Sequence, residues 1–205
     1  ARPLVPLVNA SLASPPAKAV FEKIGVHPAR SLPKYAPDTF SNWFHKRQVA
    51  GDAIRNSQLP TRNSVLLFHD TWAEYNHPEV AQAAVRVLEA AGYVVYLAEG
   101  RACCGRPLIT GGQADKAKAW VDQNVALLAP YAAQGIPIVG IEPSCILTLR
   151  DEYPALAADK NRAQTLARNA LTFEEFVVRE AESGGFAGIW RETPGKVHLH
   201  GHCHA

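Results

Sequence analysis

Four cysteines and a run of histidines are the residues of this 205-residue chain best suited to chemistry. Cys103 and Cys104 are adjacent and followed by Gly105. Cys145 stands three residues after Glu142, and Cys203 lies in a histidine-rich end formed by His198, His200, His202 and His204. Adjacent cysteines do not readily bond to each other, but on a bent loop both sulfurs can face one metal centre, and a glycine there permits the sharp turn. Thiolates are natural ligands for zinc and for iron–sulfur clusters. Histidines at every second position of an extended strand point to one face, and with Cys203 they make a metal-chelating tract. Arg101 and Arg106 flank the doublet, where guanidinium charge would lower thiol pKa values or hold an anion. His69 beside Asp70 is a further polar candidate. The same residue types also allow a nucleophile set of Cys104 or Cys145 with His202 and Asp70, although no local hydrolase signature accompanies them. Against all these stands the plain alternative of buried cysteines acting as small apolar residues.

The elements that must position these residues alternate in type from Ser64 onward. Ser64–Phe68, Tyr93–Ala98 and Ile136–Ile141 are short apolar runs bounded by turn residues, and a fourth strand is expected at Lys196–His200. Between them the periodicity predicts helices over Pro78–Ala91, with Val80, Ala83, Ala84, Val87 and Leu88 inward, and over Gln113–Tyr131, with Trp120, Val121, Val125 and Leu128 inward. Helices are also expected at 144–151, 155–170 and 172–183, with the segment 101–112 left as a crevice loop. This alternation predicts an α/β fold, a Rossmann-like parallel sheet flanked by helices. Every candidate residue then falls just after a strand: Asp70, Cys103 and Cys104, Glu142 and Cys145, and His202 with Cys203. The carboxyl ends of parallel strands share one edge, where ligands bind, so all of them can converge on one crevice.

Composition divides the chain. Residues 1–63 carry nine Lys/Arg against three Asp/Glu and eight of the 15 prolines, whereas residues 64–205 carry twelve against sixteen. The first part reads as a Pro-rich, partly helical N-terminal arm, with helices around 16–24 and 39–47. Phe40, Trp43 and Phe44 share one face there, and the face is expected to pack on the main domain. The second part, 64–205, reads as the α/β domain. A net charge of +2 is too mild to argue for nucleic acid, and no apolar run is long enough for a transmembrane helix. The lack of Met and the start at Ala1-Arg2-Pro3 lead to the expectation of a piece of a longer protein without a signal peptide.

Cys-Cys-Gly followed by a later Cys in a parallel α/β domain resembles the cysteine-rich CCG domain of heterodisulfide reductases and of the iron–sulfur subunits of glycolate oxidases. That family's pattern is a Cys, a gap of thirty-odd residues, CCG, a similar gap, then CxxC, usually present twice. The strings LLFHDTW, CCGRPL, GIEPSC and HGHCH look closest to the version found in fused bacterial FAD-linked 2-hydroxy-acid dehydrogenases. On that resemblance Cys103, Cys104, Gly105, Cys145 and Cys203 are the cofactor-binding positions, with His202, Asp70 and Glu142 as further metal-ligand candidates. Asp70 stands where the first Cys is expected, and Glu142 replaces the first Cys of CxxC. Carboxylates are unusual on iron–sulfur clusters, and Cys203 opens a second copy that the chain does not complete. The expectation is therefore no intact cluster in this chain, with zinc on a Cys/His subset as the metal most readily accommodated.

The resemblance implies a parent protein with FAD in a separate domain, a ferredoxin-like domain and an electron acceptor such as a quinone. The parent would be cytoplasmic or peripheral at the inner membrane. The chain would be its electron-transfer module, inactive alone; the alternative is a non-catalytic zinc-binding or docking module.

Overall fold

The computed structural model describes residues 3–50, 63–190, Gly195, Lys196, His198 and Gly201. The described residues form two compact units. One takes residues up to 56 with Thr71–Gln82, and the other residues 57–70 with 83–205.

The first unit is helical, with α1 (Val5–Ala13), α2 (Pro15–Lys23), α3 (Phe40–Ala50) and α4 (Thr71–Tyr75). Prolines mark helix starts here as well as coil. Pro6 lies in the first turn of α1, where a missing N–H costs nothing, and this helix precedes the two expected in the arm. Ser14 ends α1 and caps α2, its hydroxyl accepting from the Ala17 amide. Phe40 and Phe44 are buried, while Trp43 is half-buried. Glu74 of α4 accepts from the Ser41 amide at 3.0 Å and its hydroxyl at 2.8 Å, tying α3 to α4.

The second unit carries the sheet. Its strands are β1 (Ser64–Phe68), β2 (Val94–Leu97), β3 (Ile138–Gly140) and β4 (Ala170–Thr172), and the helices around them are α5 (Pro78–Ala90, which begins in the first unit's residues), α6 (Arg106–Thr110), α7 (Ala114–Ala133), α8 (Pro143–Asp151), α9 (Tyr153–Leu156), α10 (Lys160–Asn169) and α11 (Phe173–Glu182). The strand order is β2-β1-β3-β4, and every pairing is parallel. Burial follows position. The inner strands β1 and β3 are buried at every residue, as a sheet covered on both faces requires, and the edge strands are not.

Four expectations change. The segment 101–112, expected as a crevice loop, carries helix α6 at Arg106–Thr110. The fourth described strand is Ala170–Thr172, a three-residue link between two helices. The Lys196–His200 strand falls largely outside the described residues, and Lys196 and His198 themselves are not in a strand. The single helix expected over 155–170 is two: Asp159 caps α10 by accepting from the Arg162 amide, and the break precedes it. The phase of α5 shifts by one, because Ala81, Ala84, Val85 and Leu88 form the buried stripe while Val80 is exposed. A helix so rich in Ala and Val shows its period plainly but not which of two neighbouring faces is inward.

Candidate functional site

The chain order of the sheet reverses between β1 and β3, and the ends of these two strands sit side by side. Phe68 pairs with Gly140, so Asp70 and Glu142 each lie two residues beyond a matched pair. His69 and Asp70 are buried. Beyond β3 the chain enters α8 at once. Glu142 is its cap residue, its carboxylate accepting from the Ser144 amide at 3.2 Å, and Pro143 occupies the first turn. Cys145 follows in that same first turn and is half-buried. The approach of α8 to the strand depends on Gly140, where an added Cβ would fall 2.4 Å from the Ile146 Cβ.

The doublet arrives from the end of β2. Gly105 adopts φ +86° and starts α6, a conformation that a side chain would strain. The loop backbone is held by one buried amide on α7. Asn124 Oδ1 accepts from the Ala102 amide at 2.8 Å, and its Nδ2 donates to the Cys103 carbonyl at 3.1 Å and to the Tyr153 hydroxyl at 2.8 Å. Tyr153 in turn donates to the Cys104 carbonyl at 3.1 Å. Both side chains are fully buried. The result places Cys104 Sγ 3.2 Å from Cys145 Sγ, across 41 residues of sequence, with Cys103 adjacent. All three are free thiols.

Thiol pKa values run against the sequence expectation. Hydrogen bonding to Cys104 and burial push the Cys103 thiol far above the ordinary thiol range, and the nearby Arg101 charge offsets only part of this. For Cys104 the Cys103 contact works downward, but the Cys145 contact and burial outweigh it and push the thiol up to about 12. Both are therefore protonated at neutral pH when no metal binds. The arginines do not reverse this. Arg101 lies over the Phe68 ring, 4.9 Å from its centroid, and Arg106 pairs with Glu152 of the α8–α9 junction.

The three thiols of the two loops thus meet, and Asp70 and Glu142 sit at neighbouring strand ends. His202 and Cys203, like His200 and His204, lie outside the described residues. Sequence reading missed Asn124 and Tyr153. The signal for Asn124 was present: it lies on the same helical face as Val121, Val125 and Leu128, and a polar side chain on such a face needs a buried partner. Trp120, expected on that face, is 37% exposed instead. Among the described residues no group of three or more His, Cys, Asp and Glu side chains is arranged around one metal position. A separate cavity of about 110 Å³ lies in the first unit, lined by Leu12, Phe21 and Val26 with Lys18, His27 and Arg30, and has no thiol or carboxylate in its wall. No described helix is long and apolar enough to cross a membrane.

Comparison with known proteins adds to this geometry. Residues 66–150 match the family model of the cysteine-rich domain CCG. The chain is 30% identical over 204 residues to a subunit of the anaerobic glycerol-3-phosphate dehydrogenase of Escherichia coli K12, covering 98% of this chain and 49% of that protein. It is 33% identical over 88 residues to a subunit of the fumarate reductase (CoM/CoB) of Methanothermobacter marburgensis, covering 43% of this chain and 17% of that protein. It is 28% identical over 146 residues to lactate utilization protein A of Bacillus thuringiensis, covering 68% of this chain and 57% of that protein. The chain therefore spans about half the length of the first of these relatives. No solved structure matches it.

Proposed function

Because residues 66–150 belong to the cysteine-rich CCG family, we propose that this chain is the electron-transfer module of an oxidoreductase. One observation carries the reading: Cys103 and Cys104 from the β2 end and Cys145 from the β3 end meet where the sheet order reverses, the position at which parallel sheets bind ligands. The relatives support it, since the names of two contain dehydrogenase or reductase. In the finer form, the parent oxidises a 2-hydroxy acid at FAD held in another domain and delivers the electrons to a quinone-type acceptor; an iron–sulfur cluster in the parent would need ligands beyond the three thiols described. The chain alone has no turnover in this account. The parent works in the cytoplasm or peripherally at the inner membrane.

The donor set limits what these residues do. Iron–sulfur clusters of the common types take four thiolates, and the described residues bring three together. Glu142, at the position of the missing thiolate, already caps α8, and carboxylate is a hard ligand. The described residues do not fit a fully thiolate-held cluster. What they do is hold three thiols at a fixed place. Asn124 and Tyr153 fix the backbone of the doublet, Gly140 lets α8 come close enough to present Cys145, and the apolar packing around Ile146, Leu147 and Tyr153 keeps water from the Cys104 side.

The alternative, a zinc-binding or docking module, is favoured by the same shortage of thiolates. Anaerobic purification of the full-length parent, with iron, acid-labile sulfide and zinc analysis, separates the two. The electron-transfer reading expects iron and sulfide in matching amounts and visible absorbance that bleaches when the 2-hydroxy acid is added. Zinc without iron or sulfide, or iron that stays oxidised on substrate addition, contradicts it.

A further inference from the structure

The three thiols that do not complete a cluster are arranged for a different reaction. We propose that Cys104 and Cys145 form a reversible dithiol–disulfide couple, oxidised by low-molecular-weight disulfides, and that this couple regulates the thiol site. The regulatory part rests on the electron-transfer reading, whereas the couple itself does not.

The geometry selects this pair over the adjacent doublet. The two sulfurs lie 3.2 Å apart, already in contact, one on the anchored doublet loop and one in the first turn of α8. A bond of about 2.05 Å then needs only a small approach. Cys103 and Cys104 are a poor alternative, since consecutive Cα atoms are about 3.8 Å apart and ordinary disulfides need about 4.4–6.8 Å. The exposures assign the roles. Cys145 is half-buried in the first turn of α8, where a small reagent can reach it, and Cys104 is only 2% exposed. Cys104 need not meet the reagent, because it is held against the sulfur that does.

The exchange balances. The Cys145 thiolate attacks one sulfur of a disulfide RSSR, forming a Cys145–SR mixed disulfide and releasing RS⁻, which takes up the Cys145 proton as RSH. Cys104 then attacks Cys145 Sγ; the mixed S–S bond breaks, the second RSH leaves with the Cys104 proton, and a Cys104–Cys145 bond remains. Two thiols are oxidised and one RSSR is reduced. The oxidised pair leaves one thiol of three at the site, so metal cannot be held there until the bond is reduced.

The test uses the full 205-residue chain, reduced, freed of metal and exposed anaerobically to oxidised glutathione, then acid-quenched and alkylated for intact mass and peptide mapping. The expected product has no glutathione and no alkyl group on Cys104 or Cys145, and maps to a Cys104–Cys145 cross-link that dithiothreitol reverses. C103S should give the same product, and C104S should instead retain glutathione on Cys145. A wild-type chain that keeps glutathione on Cys145 or Cys104, leaves both reduced, or links either to Cys103 or Cys203 in preference overturns the proposal. None of these outcomes bears on iron and sulfide in the parent, so failure of the couple and failure of the electron-transfer reading are read separately.

Discussion

Asn124→Ala is expected to lower the stability of the sheet unit by about 3 kcal/mol, the largest effect of any single polar substitution at the site. The amide is fully buried and serves the Ala102 amide, the Cys103 carbonyl and the Tyr153 hydroxyl at once. Its removal strands a buried donor and an acceptor on the doublet loop and leaves a hole beside Val121 and Val125. A buried group left without its partner bears the full desolvation penalty, which exceeds the modest net worth of the bond it made. Asn124→Asp is no rescue, because a carboxylate accepts from Ala102 but cannot donate to Cys103 or Tyr153. Urea unfolding measures the loss. Alkylation of Cys104 in the folded protein measures the release of the loop, and should accelerate at least tenfold. A midpoint shift worth less than about 1 kcal/mol would mean that the amide does not anchor the doublet.

Gly140→Ala is expected to cost about 2 kcal/mol and, unlike Asn124→Ala, to act through Cys145. The added methyl would stand 2.4 Å from the Ile146 Cβ and 2.9 Å from its Cγ1. A Cβ is rooted in the backbone, so a rotamer change cannot relieve the contact and α8 must move away from β3. Cys145 rides one residue before Ile146. The predicted signature is therefore a fall in the yield of Cys104–Cys145 cross-link under mild oxidation, with Cys104 alkylation unchanged. Unfolding midpoint and cross-link yield that both match wild type would show that α8 does not depend on this close approach.

Much of this was legible before the fold was known, and the exceptions share a cause. The inner strands announced themselves as unbroken apolar runs, because both faces of β1 and β3 are covered. Gly105 marked the turn that its φ of +86° requires. Strand β4 was not legible, since three residues between two helices carry too little pattern to separate from a helix junction; only the capping box of Thr172 with Glu175 marked the place where a helix begins. Glu142 read as a ligand candidate, yet Glu-Pro-Ser is also the start of a helix, and the structure puts its carboxylate on the Ser144 amide. Asn124 and Tyr153 escaped because their roles depend on loops that are distant in sequence. The pKa direction of the doublet escaped for the same reason: neighbouring arginines were visible in the sequence, but the Cys104 contact and burial that outweigh Arg101 at Cys103, and the Cys145 contact at Cys104, arise only on folding.

The central claim is that sulfurs from the ends of β2 and β3 share one place. A trivalent arsenical tests it, because one arsenic atom bonds two thiols only when they can approach each other closely. Titration of the reduced chain with phenylarsine oxide, followed by mapping of the bound arsenic, is predicted to give one equivalent bridging the Cys103–Cys104 peptide to the Cys145 peptide. Arsenic confined to Cys103 and Cys104, with Cys145 still open to alkylation, would contradict it.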